Sequence, residues 1–278
     1  MVNYYRQERN VLMQKKSKLI IIIALVAVII IAAVIIIPGL SKNSGNKTDS
    51  NNNSTVISSD GENESDSENN LGNEADVDIG NINNINIGDT YIFGSYEQDN
   101  NIENGKEPIE WIVLDKQDSR ILVISKYALD SKAFNEERIE TSWENCTLRT
   151  WLNSTFINQA FSSKEQAYIP TVTITPEISG DNSFDIGNST QDKIFHLSTS
   201  EAERYLPDAE NRKCQATPWA VANEIEVVGD YCYWGLRSHR NSLLDVDHIS
   251  SNGLVAPGNF VHCYFIGVRP AMWIDFAA

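Results

Sequence analysis

The sequence is short of the residues that announce chemistry. It holds only four cysteines and four histidines in 278 residues. No Cys-x-x-Cys spacing and no pair of histidines at ligand spacing occurs, so neither a structural zinc site nor a redox motif is indicated. No ordered Ser/His/Asp set, glycine-rich phosphate loop or paired-carboxylate motif stands out, and no catalytic residue, cofactor or metal ligand is assigned. Asp245 and Asp247 alternate without the glycine and distal glutamate of a calcium loop. Basic residues are scarce as well: 22 Lys and Arg against 38 Asp and Glu leave a net charge of −16. Such a chain repels polyanions, which excludes nucleic acid as a partner.

One long stretch lacks polar residues altogether. Residues 19–37 are drawn only from Leu, Ile, Val and Ala. As a helix this run spans ~28 Å, close to the hydrocarbon thickness of a bilayer, so residues 19–40 are expected to cross a membrane once. Arg6, Arg9, Lys15, Lys16 and Lys18 precede it and only Lys42 and Lys47 follow closely, which keeps the tail 1–18 in the cytoplasm and sends the rest outside. No small-x-small cleavage site follows the run, and no cysteine for a lipid anchor, so an uncleaved signal anchor is expected.

Residues 41–86 contain no aromatic side chain and are rich in Asn, Ser, Asp, Glu and Gly. That composition cannot build a core and reads as a flexible acidic linker. Residues 87–278 carry all six tryptophans, enough for one domain. Two β-branched runs, 109–114 and 120–125, flank a polar turn and predict a hairpin. Leu148, Trp151, Leu152, Phe156, Ala160 and Phe161 recur at three- and four-residue steps, which predicts a helix over 147–161. Capping-box patterns at Ser163 and Ser198 predict two further helix starts. Short apolar runs at 172–175, 194–197, 231–237, 253–256 and 264–274 read as strands. The fold class is α+β, with short strands and two or three helices.

Four ordered stretches carry a resemblance: Leu148-Arg149-Thr150-Trp151-Leu152-Asn153, His196-Leu197-Ser198-Thr199-Ser200-Glu201, Trp234-Gly235-Leu236-Arg237-Ser238 and Gly267-Val268-Arg269-Pro270-Ala271. Together they resemble an uncharacterised family of bacterial extracytoplasmic domains related to the C-type-lectin-like fold shared with formylglycine-generating enzymes. The resemblance implies a C-type-lectin-like domain. It implies no activity, since the Trp-Asn-Asp and Glu-Pro-Asn segments of calcium-dependent lectins and the Gly-Gly-Ser-Trp segment of formylglycine-generating enzymes are all missing.

Within residues 231–273 the charge balance inverts, with Arg237, Arg240 and Arg269 and three histidines against Asp245 and Asp247. Trp234, Arg237, His239, Arg240 and Arg269 are therefore the ligand-binding candidates, the arginines for an anionic group and Trp234 as a stacking face. The competing reading makes Arg237 and Arg269 internal pairs and leaves His239 and Arg240 exposed. Cys146, Cys214, Cys232 and Cys263 allow three pairings, or stay as buried thiols. Cys232 and Cys263 both fall in late strand-like runs. The leading expectation is a membrane-anchored surface protein whose head binds a glycan or protein ligand. An enzyme related to formylglycine-generating proteins, using Cys232 or Cys263, and a structural or sensory ectodomain of a membrane assembly are the alternatives.

Overall fold

The computed structural model describes residues 79–180 and 183–278. The tail 1–18, the apolar run within 19–40 and linker residues 41–78 lie outside the described residues. Among the described residues no helix is long and apolar enough to cross a membrane.

The strands follow in chain order as β1 (Thr90–Tyr96), β2 (Glu107–Gln117), β3 (Arg120–Ser125), β4 (Asp130–Ser131), β5 (Val172–Ile174), β6 (Thr190–Asp192) and β7 (Ile194–Phe195). After them come β8 (Val227–Val228), β9 (Tyr231–Cys232), β10 (Trp234–His239), β11 (Asp245–Ile249), β12 (Val255–Phe260), β13 (Gly267–Val268) and β14 (Ala271–Asp275). They form two five-stranded sheets, ordered β1-β2-β3-β14-β7 and β12-β11-β10-β13-β4, and two small ribbons, β5-β6 and β8-β9.

The expected hairpin is β2 and β3, closed between Gln117 and Arg120 with Asp118 at a left-handed φ of 48°. Asp tolerates that conformation better than most residues because its short polar side chain bonds locally. β3 lies between β2 and β14, so Ile121, Leu122, Val123 and Ile124 are all buried, which explains an unbroken apolar run in place of alternation. β2, with Ile109, Trp111 and Val113 inward, keeps the two-residue period.

The helix over 147–161 is present in three joined pieces: Thr147–Trp151, a π-helical turn Leu152–Phe156, and Ile157–Ala160. Leu148, Leu152, Phe156 and Ala160 form its buried stripe. Asn153 sits in the π turn, where its amide donates to the carbonyls of Arg149 and Ile194 and accepts from Ile194, pinning the turn to β7. At Phe161 the chain turns extended, and the next helix, Ser163–Ala167, is capped by Ser162 with Glu165, one residue earlier than the pattern at Ser163 suggested. The box at Ser198 with Glu201 starts Thr199–Tyr205 as expected. Two further short helices, Ala209–Arg212 and Pro218–Ala222, had no periodicity to announce them.

The head reaches further toward the N-terminus than residue 87. Ile79, Ile82 and Ile85 pack against the core, the Tyr91 hydroxyl donates to the Ile79 carbonyl at 2.8 Å, and Lys116 Nζ donates to the Ile82 carbonyl at 2.7 Å. The two sheets meet where β3 leads toward β4 and β13 leads into β14. There Ser125 N donates to the Pro270 carbonyl and Arg269 Nε donates to the Ser125 carbonyl, both at 2.9 Å. One continuous apolar core spans both sheets, with Trp111, Trp143 and Trp234 at its centre.

Candidate functional site

β10 runs through the middle of the second sheet and is covered on both faces, and this decides the fate of the five candidate residues. Trp234 is wholly buried, with Nε1 donating to the Arg212 carbonyl at 2.8 Å and the Arg269 guanidinium 4.9 Å from its ring, so it offers no stacking face. Arg237 is buried and forks onto Glu201, with Nη2 to Oε1 at 2.7 Å, while Nη1 also donates to the His196 carbonyl. Arg269 is buried at the seam between the sheets. Both arginines are internal, Arg237 paired with Glu201 and Arg269 bonded to a carbonyl with no carboxylate partner among the described residues.

His239 corrects the sequence expectation. It is 2% exposed, with Nδ1 2.8 Å from the Asp245 carbonyl and its ring edge-on to Phe134. Arg240 is half-buried and directed inward, Nε and Nη2 each 3.0 Å from the Asp247 carboxylate. Asp247 also accepts from Thr199 Oγ1 at 2.9 Å and from Ser179 Oγ. Beside it, Glu177 accepts from the hydroxyls of Ser198, Ser200 and Ser238. Burial alone raises the pKa of Glu177, but these donors outweigh it and hold the carboxyl below its ordinary value. A carboxylate so fully supplied with donors is a weak base, so the serines around it are not activated nucleophiles.

Between β10, β11 and the segment at 260–266 lies a cavity of about 20 Å³, lined by His196, His248 and Cys263 with Lys132, Asp247, Asn259 and apolar neighbours. That is room for one water. His196 rests against Gly235, where a Cβ would come within 3.3 Å of its ring, and neither imidazole nitrogen has a hydrogen-bond partner. Burial and the Arg237 charge lower its pKa to about 3, so the ring is neutral at ordinary pH. Among the described residues, the carboxylates of Glu97, Asp99 and Glu107 alone lie close enough together to share a metal ion. They accept instead from backbone N–H groups of their own loop, at Asn101, Gln98 and Asp99.

A wider opening is a surface groove of about 270 Å³ lined by Lys132, Glu136, Thr147, Trp151, His262 and Tyr264. Three segments distant in sequence build it. Leu148 N donates to the Phe134 carbonyl, Glu136 N to Thr147 Oγ1 at 3.0 Å, and Ser131 Oγ to the Tyr264 carbonyl at 2.6 Å. Lys132 Nζ stands 4.6 Å from the Trp151 ring centroid, and Tyr264 is 40% exposed. Among the described residues neither Lys132 nor Glu136 enters an ion pair, and His262 Nδ1 has no partner. None of these side chains was a sequence candidate. Trp151 fell within the apolar stripe of its helix, and the approach of 131–136 to 262–264 arises from the β4–β13 pairing together with the bonds of Lys132 N to the Ile266 carbonyl and Asn135 N to the Val261 carbonyl.

A two-sheet α+β head with an aromatic-walled groove and a charged interior that is paired except at Arg269 is thus the class of domain that fold and site define. A family described as a domain of unknown function, DUF6273, matches residues 118–276, more than half of the chain, and the chain belongs to that family. The match starts at the β2–β3 turn, so β1 and β2 precede it. No curated protein and no solved structure matches the chain.

Proposed function

We propose that the chain is a single-pass membrane protein, N-terminus in the cytoplasm, whose C-type-lectin-like head acts as a binding or adhesion module for a glycan or protein ligand. The groove of Trp151 and Tyr264 is the observation that carries this reading. Aromatic faces beside uncommitted donors and acceptors suit ligands with apolar ring faces and polar edges, as saccharides and peptide side chains have. The apolar run 19–37 and the acidic linker support an anchored, freely reorienting head, which raises local concentration at the surface without fixing a pose.

The enzymatic alternative is less well supported. Cys232 is wholly buried, and burial raises the thiol pKa of Cys263, so neither sulfur is a ready nucleophile. The test is an array of saccharides and peptides probed with the full chain in detergent micelles. Saturable binding that weakens at least tenfold in Tyr264→Ala is expected. An array without binding, or binding indifferent to both Tyr264→Ala and Trp151→Ala, overturns the reading.

A further inference from the structure

Two of the four cysteines meet in the interior. Cys214 follows the helix Ala209–Arg212, and Cys232 ends β9. Cys232 N donates to the Cys214 carbonyl at 2.8 Å, Cys232 Sγ lies 3.2 Å from the same oxygen, and the two thiols are close enough to influence each other's protonation. Both are buried. Cys263, the partner of Cys232 that the strand pattern favoured, lines the small cavity instead. Cys146 Sγ is occupied at a helix start, accepting from Arg149 N and lying 3.5 Å from the Trp143 carbonyl.

The surroundings of the pair are unusual in a second respect. Arg269 is 1% exposed, pairs with no carboxylate among the described residues, and leaves Nη1 without a hydrogen-bond partner. A buried cation without an anion is costly. Its charge acts on both sulfurs, and a thiolate at Cys214 is the anion within reach. Burial by itself raises the pKa of the Cys214 thiol, but the neighbouring Cys232 thiol and the Arg269 charge bring it below the ordinary thiol value.

We propose that Cys214 and Cys232 are a covalent modification site, closing into an intrachain disulfide by exchange with a disulfide-bearing oxidant. Cys214 thiolate attacks one sulfur of the oxidant, forming a mixed disulfide and releasing the first thiol. Cys232 then attacks the Cys214 sulfur and displaces the second. Two cysteine thiols are oxidised, one disulfide is reduced to two thiols, and the two protons end on the released thiols. Because the folded head covers both sulfurs, the exchange takes place as folding brings Arg269 and the two cysteines together and before the head closes over them, and the product is afterwards shielded from reductant.

The full chain, synthesised in a cell-free reaction with detergent micelles and a couple of reduced and oxidised glutathione, folds with that oxidant present. Alkylation in denaturant and peptide mapping without reduction then count the thiols. Two alkylated cysteines, Cys146 and Cys263, and a peptide pair joined through Cys214 and Cys232 are expected. Four alkylated cysteines, or a major bridge through Cys146 or Cys263, overturn the proposal. In Cys232→Ser, Cys214 is expected to be alkylated. If that variant does not fold, the map of the unaltered chain decides alone.

Discussion

Around Arg237, His239 and Arg240 the charged groups have been used up by the fold, whereas in the groove of Lys132, Glu136 and His262 they have not. The first region is rich in cations in the sequence, yet Glu201 and Glu177 come from elsewhere in the chain, and Asp247 from the next strand, to meet them or their neighbours. The second region shows no local excess of charge in sequence, yet its lysine rests on an indole and its glutamate has no cation. A cluster of one charge in sequence therefore marks where counter-charges will be brought. Polar groups left without partners mark where a ligand has something to do.

The strongest way to break this comparison is to remove a counter-charge from the first region. Glu201→Ala strands the buried Arg237 guanidinium and is expected to cost about 3–5 kcal/mol in urea unfolding at neutral pH. A cost below ~1 kcal/mol would show that the pair contributes nothing the fold needs.

Acid is expected to act next most strongly, through the buried histidines beside that network. His196 has its folded pKa lowered from 6.5 to about 3, and burial lowers those of His239 and His248 as well. The unfolded chain takes up these protons first as pH falls. The stability these neutral rings allow is therefore complete above pH 6.5 and declines below it, by up to ~1.4 kcal/mol per pH unit for His196 alone. A urea midpoint that stays level or rises between pH 7 and pH 5 contradicts this.

The groove should respond in the opposite sense, in recognition more than in stability. Tyr264→Ala is expected to lower ligand affinity about tenfold, roughly 1.4 kcal/mol, while moving the unfolding free energy by no more than ~0.5 kcal/mol. Titration and urea melts on the same preparation separate the two effects. The smallest change is expected from Lys132→Met, which removes only the cation over Trp151 and should cost ~0.5–1 kcal/mol of stability.

Much of the fold was legible because local signals agreed with the final contacts. The β2–β3 hairpin, the stripe of Leu148, Leu152, Phe156 and Ala160, and the Ser198 box needed no distant information. The helix start at Ser162 was misplaced by one residue because both Ser162 and Ser163 can cap, and only the extended turn of Phe161 selects between them. Arg237 and Arg269 were readable as internal from their apolar flanks. His239 was not, because what buries it is Phe134 and the Asp245 carbonyl, and neither stands near it in the same strand. The groove was illegible for the same reason: Ser131 and Tyr264, whose bond frames it, are more than a hundred residues apart.

The shared closure of the two sheets also constrains how the head can be made. β13 and β14 are the last strands, yet β14 lies between β3 and β7 and β13 lies between β10 and β4. The central strands β3 and β10 therefore lack their second neighbour until β14 and β13, respectively, have been made. Until then β3 and β10 are apolar strands with one open edge each, the condition in which chains are held open by other machinery or aggregate. A head built this way can close neither sheet before β13 and β14 have been made.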